Sequence, residues 1–126
     1  MRIGNVSVNV RSKYHNRKTK GFDSAKEWRR NQELETLQRA GEISELKRQV
    51  PFVLMPSYKV ADETTKQGFR TIREIRYIED FTYRLKDGTR IIEDVKGMQT
   101  DVFKIKRKLL ERKIALGAIE GEFRIY

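Results

Sequence analysis

Two runs rich in β-branched and aromatic residues, Ile72 to Leu85 and Thr89 to Val95, face each other across Lys86-Asp87-Gly88. A pattern like that predicts a β-hairpin, and its register is set by the turn. A two-residue Asp87-Gly88 loop pairs Lys86 with Thr89 and puts Asp80 opposite Val95. A three-residue loop is a type I turn ending on a left-handed glycine, and it pairs Leu85 with Thr89. The three-residue form is the one expected here. It sets Asp80 opposite Asp94 and Ile78 opposite Lys96, so two carboxylates and a lysine share one patch of sheet. In that register Glu79 and Glu93 face away from the pair.

The rest of the chain is read around this hairpin. Ser24 followed by Glu27 fits a capping box, and good helix formers run on to Ala40, with Gly41 as a stop. The apolar positions of that helix (Ala25, Trp28, Leu34, Leu37) are sparse. Val50 to Met55 reads as a short strand and residues 57–68 as a polar loop. From Thr100 to Leu116 the period becomes helical. Val102, Phe103, Ile105, Leu109, Leu110, Ile114 and Leu116 are assigned to one broad apolar arc, and Lys104, Arg107, Lys108 and Arg112 to the other side. Glu122 to Tyr126 reads as a last strand. The order α-β-β-β-α-β, a meander followed by a helical crossover, predicts an α/β sandwich with a mixed sheet flanked by helices.

Length and charge bound what such a domain does. The 126 residues suit one domain, and 28 Lys+Arg against 18 Asp+Glu leave a net charge of +10, which points to a polyanionic partner, nucleic acid first. With no cysteine, thiol nucleophiles, disulfides and Cys-type zinc sites are excluded. No apolar run is long enough to span a bilayer, so the expectation is a soluble cytoplasmic protein with no membrane role. Residues 1–20 hold Arg2, Arg11, Lys13, Arg17, Lys18 and Lys20 and no acid. They read as a basic N-terminal tail or an arm that orders on a partner, with residues 21–126 as the folded domain. His15, in that segment, is expected to be solvated, and Trp28 to be packed in the core.

Aspartates directly opposed across a ladder repel. A hard divalent cation, Mg²⁺ or Mn²⁺, would resolve the repulsion, and Lys96 stands close enough to orient a water or offset charge on a phosphate. The plainer alternative is an exposed hairpin in which Lys96 simply pairs with Asp94.

Asp80 and then Asp94-Val95-Lys96 on the next strand, within this element order, resemble the PD-(D/E)xK nuclease superfamily. The segments Phe22-Asp23-Ser24-Ala25-Lys26-Glu27, Tyr77-Ile78-Glu79-Asp80-Phe81 and Glu93-Asp94-Val95-Lys96-Gly97 are similar to a family of small phage proteins grouped with it. The resemblance covers residues 21–126 and implies a restriction-endonuclease-like fold and Mg²⁺-dependent cleavage of DNA, with Mn²⁺ as a substitute. It implies Asp80 and Asp94 as metal ligands, Lys96 as the residue that positions the attacking water, and Glu27 as a further catalytic and metal-binding carboxylate, matching the first-helix glutamate of the Holliday-junction-resolvase branch. The helix cap explains Glu27 as well. Asp94 stands where many relatives carry glutamate, and the residue before Asp80 is not proline. Arg17, Lys18, Lys20, Lys104, Arg107 and Lys108 are the expected DNA contacts. No base-reading element is evident, which favours recognition of branched DNA, a Holliday junction above all, by a homodimer acting in phage recombination or replication in the host cytoplasm. Flap, nicking or single-strand cleavage by the same fold, and a non-catalytic DNA-binding accessory role, are the alternatives.

Overall fold

The computed structural model describes residues 21–126. The basic segment 1–20, with Arg17, Lys18, Lys20 and His15, lies outside the described residues. The elements are α1 (Ala25–Arg39), β1 (Ile43–Met55), β2 (Tyr58–Ala61), β3 (Phe69–Ile72), β4 (Ile75–Leu85), β5 (Arg90–Asp94), α2 (Asp101–Ala115) and β6 (Glu122–Ile125). The fold is α/β, with a four-stranded mixed sheet in the order β1-β4-β5-β6 and a separate two-stranded sheet of β2 and β3. β1, β4 and β5 are antiparallel neighbours, and β6, arriving after α2, runs parallel to β5. Leaving out the β2–β3 hairpin, the order is the expected α-β-β-β-α-β.

The turn chemistry acts as the sequence predicts. Leu85 N–H donates to Thr89 O at 2.9 Å and Gly88 N–H to Leu85 O at 3.0 Å, while Gly88 takes φ +90. Asp87 Oδ1 accepts from Thr89 N–H at 2.9 Å, an Asx-type contact that fixes the turn. The loop is therefore the three-residue one. Tyr83 pairs with Ile91 and Phe81 with Glu93, so the next step along the ladder sets Asp80 opposite Asp94.

β5 is buried on both sides of the sheet, as its apolar start allows. Ile91 joins Phe22, Leu34, Ile43, Phe81 and Tyr83, a cluster capped by α1 with Trp28 against it. Ile92 joins Phe52, Leu54, Tyr77, Phe103 and Leu110, a cluster capped by α2. The helices thus cover opposite faces. α1 is capped by Ser24, whose Oγ accepts from Glu27 N–H at 3.1 Å, and α2 by Thr100, whose Oγ1 accepts from Phe103 N–H at 3.1 Å.

Three expectations are corrected. β1 begins at Ile43, seven residues before the predicted strand, because its first half is charged and pairs through backbone rather than through a buried face. Residues 57–68 are not simply a loop: Tyr58–Ala61 pairs with Phe69–Ile72, so Ile72 ends β3 and the strand predicted from Ile72 begins, as β4, only at Ile75. The apolar arc of α2 is narrower than predicted. Phe103 and Leu110 are buried, with Leu109 and Ile114 against them, whereas Val102 and Ile105 are each 59% exposed and Leu116 is 65% exposed. A 100° step per residue separates those exposed residues from Phe103 and Leu110 by most of a right angle or more.

β6 comes so close to β5 that only glycine fits at position 121. A Cβ there would lie 2.8 Å from Ile92 Cδ1, and φ is +149. Gly121→Ala should therefore cost about 1–3 kcal/mol in urea unfolding. An effect below about 0.5 kcal/mol would contradict this packing.

Candidate metal centre

The candidate site forms where β4, β5 and the start of α1 meet. Asp94, the last residue of β5, is almost fully buried on the α2 side. Tyr77 Oη donates to its Oδ2, and Lys96 Nζ stands 3.6 Å from the same oxygen and 4.7 Å from the centre of the Phe103 ring. Asp80 Oδ2 accepts the Val95 N–H at 2.8 Å, which ties it to the strand that carries Asp94. Burial, then the hydrogen bond and negative charge of Asp94, push the Asp80 carboxyl up to about 9.

Strict alternation along β4 fails here. Tyr77 packs with the α2 cluster, yet Phe81 and Tyr83, an even number of residues further on, pack with the α1 cluster. The change of face falls between Glu79 and Phe81. On the neighbouring strand the ladder pairs Val50 with Glu79 and Arg48 with Phe81, passing over Gln49 and Asp80 together without a shift of register, and Gln49 takes a left-handed φ of +54. A non-glycine residue held there is strained by roughly 1–3 kcal/mol, a cost that tends to collect at functional positions.

The break brings in Glu79, which simple alternation turns away from the pair. Its side chain is fully buried at 0% exposure, and both carboxylate oxygens lack a hydrogen-bond partner. Burial first, then the charges of Asp94 and Asp80, push its carboxyl up to about 9, against a downward pull from Lys96. The signal in the sequence is the Glu79-Asp80 dipeptide itself: two consecutive acids within a strand that is buried on both faces cannot both reach solvent.

Glu27 is buried at the first turn of α1 and is already occupied. Its Oε2 accepts from Gln49 Nε2 at 3.3 Å and stands 4.0 Å from Arg48 Nη2. Burial and then the charge of Asp23 raise its pKa, Asp94 adds to the rise, and Arg48 opposes it. Its backbone N–H is bonded to Ser24, so half of the predicted capping box is present while the carboxylate points towards Gln49.

Glu93 does face away from Asp94, as expected, and serves a different network. Arg30 donates to it through Nε at 2.6 Å and Nη2 at 2.9 Å, and Tyr83 Oη donates to it at 2.6 Å. Arg30 also pairs with Glu33 at 2.9 Å and stacks 4.0 Å from the centre of the Tyr126 ring. Tyr126 in turn donates its N–H to Asp94 O at 2.9 Å, and Lys26 Nζ donates to Lys96 O at 3.1 Å. The backbone on both sides of Val95 is pinned from α1 and from the end of β6.

Of the expected DNA contacts, Lys104 and Lys108 are exposed on α2. Arg107 is half-buried, pairs with Glu111 at 3.4 Å and lies over Phe123. Among the described residues no three His, Cys, Asp or Glu side chains gather closely enough to form a ready metal site. The donor chemistry still suits a hard cation, because the residues present are carboxylates, two of them opposed and a third buried without a partner. No described helix is long and apolar enough to cross a membrane.

A protein family described as "Protein of unknown function (DUF1064)" matches residues 11–122. No curated protein and no solved structure matches the chain.

Proposed function

We propose, for a chain that belongs to the DUF1064 family, that it is a divalent-metal-dependent DNA endonuclease of the PD-(D/E)xK type, selective for branched DNA. The observation that carries this reading is the register of the hairpin, in which Asp80 and Asp94 are opposed and Lys96 Nζ lies 3.6 Å from Asp94. The helices on opposite faces of a mixed sheet, and the net charge of +10, support it. Asp80 and Asp94 are the residues that would hold Mg²⁺ or Mn²⁺; the resemblance would add Glu27 as a third ligand or a ligand through water, although Gln49 and Arg48 already meet its carboxylate. The cation, when bound, supplies a more acidic water and charge to offset that on the phosphate.

The chain's own residues contribute orientation and charge. Tyr77 holds one oxygen of Asp94, and the Val95 N–H holds one of Asp80, so the two carboxylates cannot turn away from each other. Lys96, fixed over Phe103, presents an ammonium beside the pair that can orient a water and stabilise an oxyanion. Lys104 and Lys108, exposed on the helix that follows Lys96 in the chain, offer phosphate contacts that carry no sequence preference. Two symmetric cuts in a junction imply a homodimer.

The test is cleavage of a labelled four-way junction beside linear duplex, flap and single-stranded DNA, with Mg²⁺, Mn²⁺ or EDTA. Paired nicks that need metal, reduced by about 10²–10³-fold or more in Asp80→Asn and Lys96→Ala, are the expected result. Preference for a flap or a single strand would keep the site and change the substrate. Binding without cleavage under either metal would favour a second reading, a DNA-binding accessory protein, which the net charge of +10 supports equally. On either reading, affinity for DNA should fall steeply with salt as counterions are released.

A further inference from the structure

Glu27 and Glu79 are both buried carboxylates beside the Asp80–Asp94 pair, but their surroundings differ in kind. Glu27 is supplied from within the protein: Gln49 donates to it and Arg48 stands at 4.0 Å. Glu79 has only the charge of Lys96 to oppose its own. It is fully buried, and among the described residues neither oxygen has a hydrogen-bond partner and no salt bridge reaches it. Leaving a buried carboxylate unpartnered costs free energy, and folded proteins keep such groups where something else completes them.

The direction of Glu79 is fixed by the backbone. Two residues before it, Tyr77 lies on the α2 side with its hydroxyl on Asp94. Glu79 shares that side because alternation holds from Tyr77 to Glu79 and breaks only afterwards, at Asp80. Val50, its partner across the ladder, also packs against the α2 cluster. The unpartnered carboxylate is therefore on the side of the sheet where Asp94 lies, and it interacts electrostatically with both Asp94 and Asp80.

We propose that Glu79, and not Glu27, supplies the third carboxylate of a divalent-cation site with Asp80 and Asp94. The inference rests on the metal-dependent reading above and changes its ligand set. Two buried acids and the half-buried Asp80 repel one another in the absence of a cation, and a cation is what would draw them together. Glu27 then keeps the role its contacts describe, a first-turn residue whose carboxylate accepts from Gln49 and holds that strained point of β1 against α1. The residue type agrees with the assignment, since glutamate and aspartate oxygens are the donors that Mg²⁺ and Mn²⁺ prefer.

The experiment is Mn²⁺ binding by calorimetry on the full chain, with the thermal midpoint of each protein recorded with and without Mn²⁺. The variants are Glu79→Gln, Glu27→Gln and Asp80→Asn. Glu79→Gln should weaken Mn²⁺ binding by about tenfold or more, and Glu27→Gln by less than about threefold. In thermal melts Glu79→Gln should unfold at a higher temperature than the wild type without metal and lose the rise that Mn²⁺ gives the wild type. A merely structural role for Glu79 would not separate those two midpoints. If Asp80→Asn loses Mn²⁺ while Glu79→Gln keeps it, this assignment is overturned and the metal-dependent reading stands. If the wild type binds no Mn²⁺ at millimolar concentration, both are overturned.

Discussion

Arg30→Met should lower the unfolding free energy by about 3–5 kcal/mol, the usual cost of removing one partner from a buried ion pair. For a domain of this size that is a fall of roughly 10–20 °C in Tm. The reason lies in Glu93, whose side chain is 2% exposed and whose two oxygens are met by Arg30 at 2.6 and 2.9 Å. Without the guanidinium, only the Tyr83 hydroxyl remains to satisfy the carboxylate. The same substitution also removes the nearer of two cations over the Tyr126 ring, and Tyr126 is bonded through its backbone to Asp94. Urea unfolding at constant m-value measures the loss. The double substitution Arg30→Met with Glu93→Leu should recover most of it, because the isolated charge has gone. A single-variant loss below about 1 kcal/mol would show that the pair is not desolvated in solution.

The second large effect is a dependence of stability on pH that runs opposite to ordinary acid denaturation. Glu79 and Asp80 are each pushed up to about 9 in the folded protein, whereas unfolded they titrate near about 4.3 and 3.9. Between those limits the folded state holds protons that the unfolded chain has shed. Stability from these groups is therefore fully present below about pH 4 and is lost as the pH rises towards about 9. Glu27 shifts in the same direction. Of the carboxylates held low, Glu33, Asp87 and Glu120 are exposed and Asp62 is half-buried, and their effect belongs to the acid side of that window. One proton held through the range from roughly pH 5.5 to 8.5 is worth about 4 kcal/mol, so metal-free protein should lose about 4 kcal/mol or more across it. Asp80→Asn and Glu79→Gln should each flatten the profile. Thermal melts across that range in EDTA decide it, and a profile that is flat or rises with pH would refute the burial of these charges.

The elements whose local chemistry is self-contained were legible from sequence. Ser24 announces its helix because a cap needs only a hydroxyl and the backbone N–H three residues on. The Lys86-Asp87-Gly88 loop announces its register because glycine alone accepts that φ without strain, and the register brings Asp80 opposite Asp94. Less legible were features set by distant partners. The first half of β1 is held by backbone pairing to β4, which leaves no apolar alternation to read. Residues 57–68 hide a hairpin because its strands are four residues long and mostly exposed. On α2, composition does not distinguish Phe103 from Val102, and only the position of Ile92 and Tyr77 beneath the helix decides which is buried. Glu79 was turned away from the pair by a rule of alternation that holds for a regular strand. Gln49, which departs from that regularity, carries no residue signal of its own, since a left-handed glutamine is not something composition announces.

Ile91 and Ile92 are neighbours in the chain yet belong to different hydrophobic clusters. Either helix can undock and expose one cluster while the other stays closed, but opening the ladder of β5 exposes both at once. Amide protons of Ile91 to Glu93 should thus exchange only through global unfolding, and those of α1 and α2 through separate partial openings of lower free energy. Asp94 ends that strand and stands at the seam between the two units. A ligand gripping it alongside Asp80 would fuse two independently opening halves into one cooperative unit, and slower exchange in α1 would then report on an event at the opposite face.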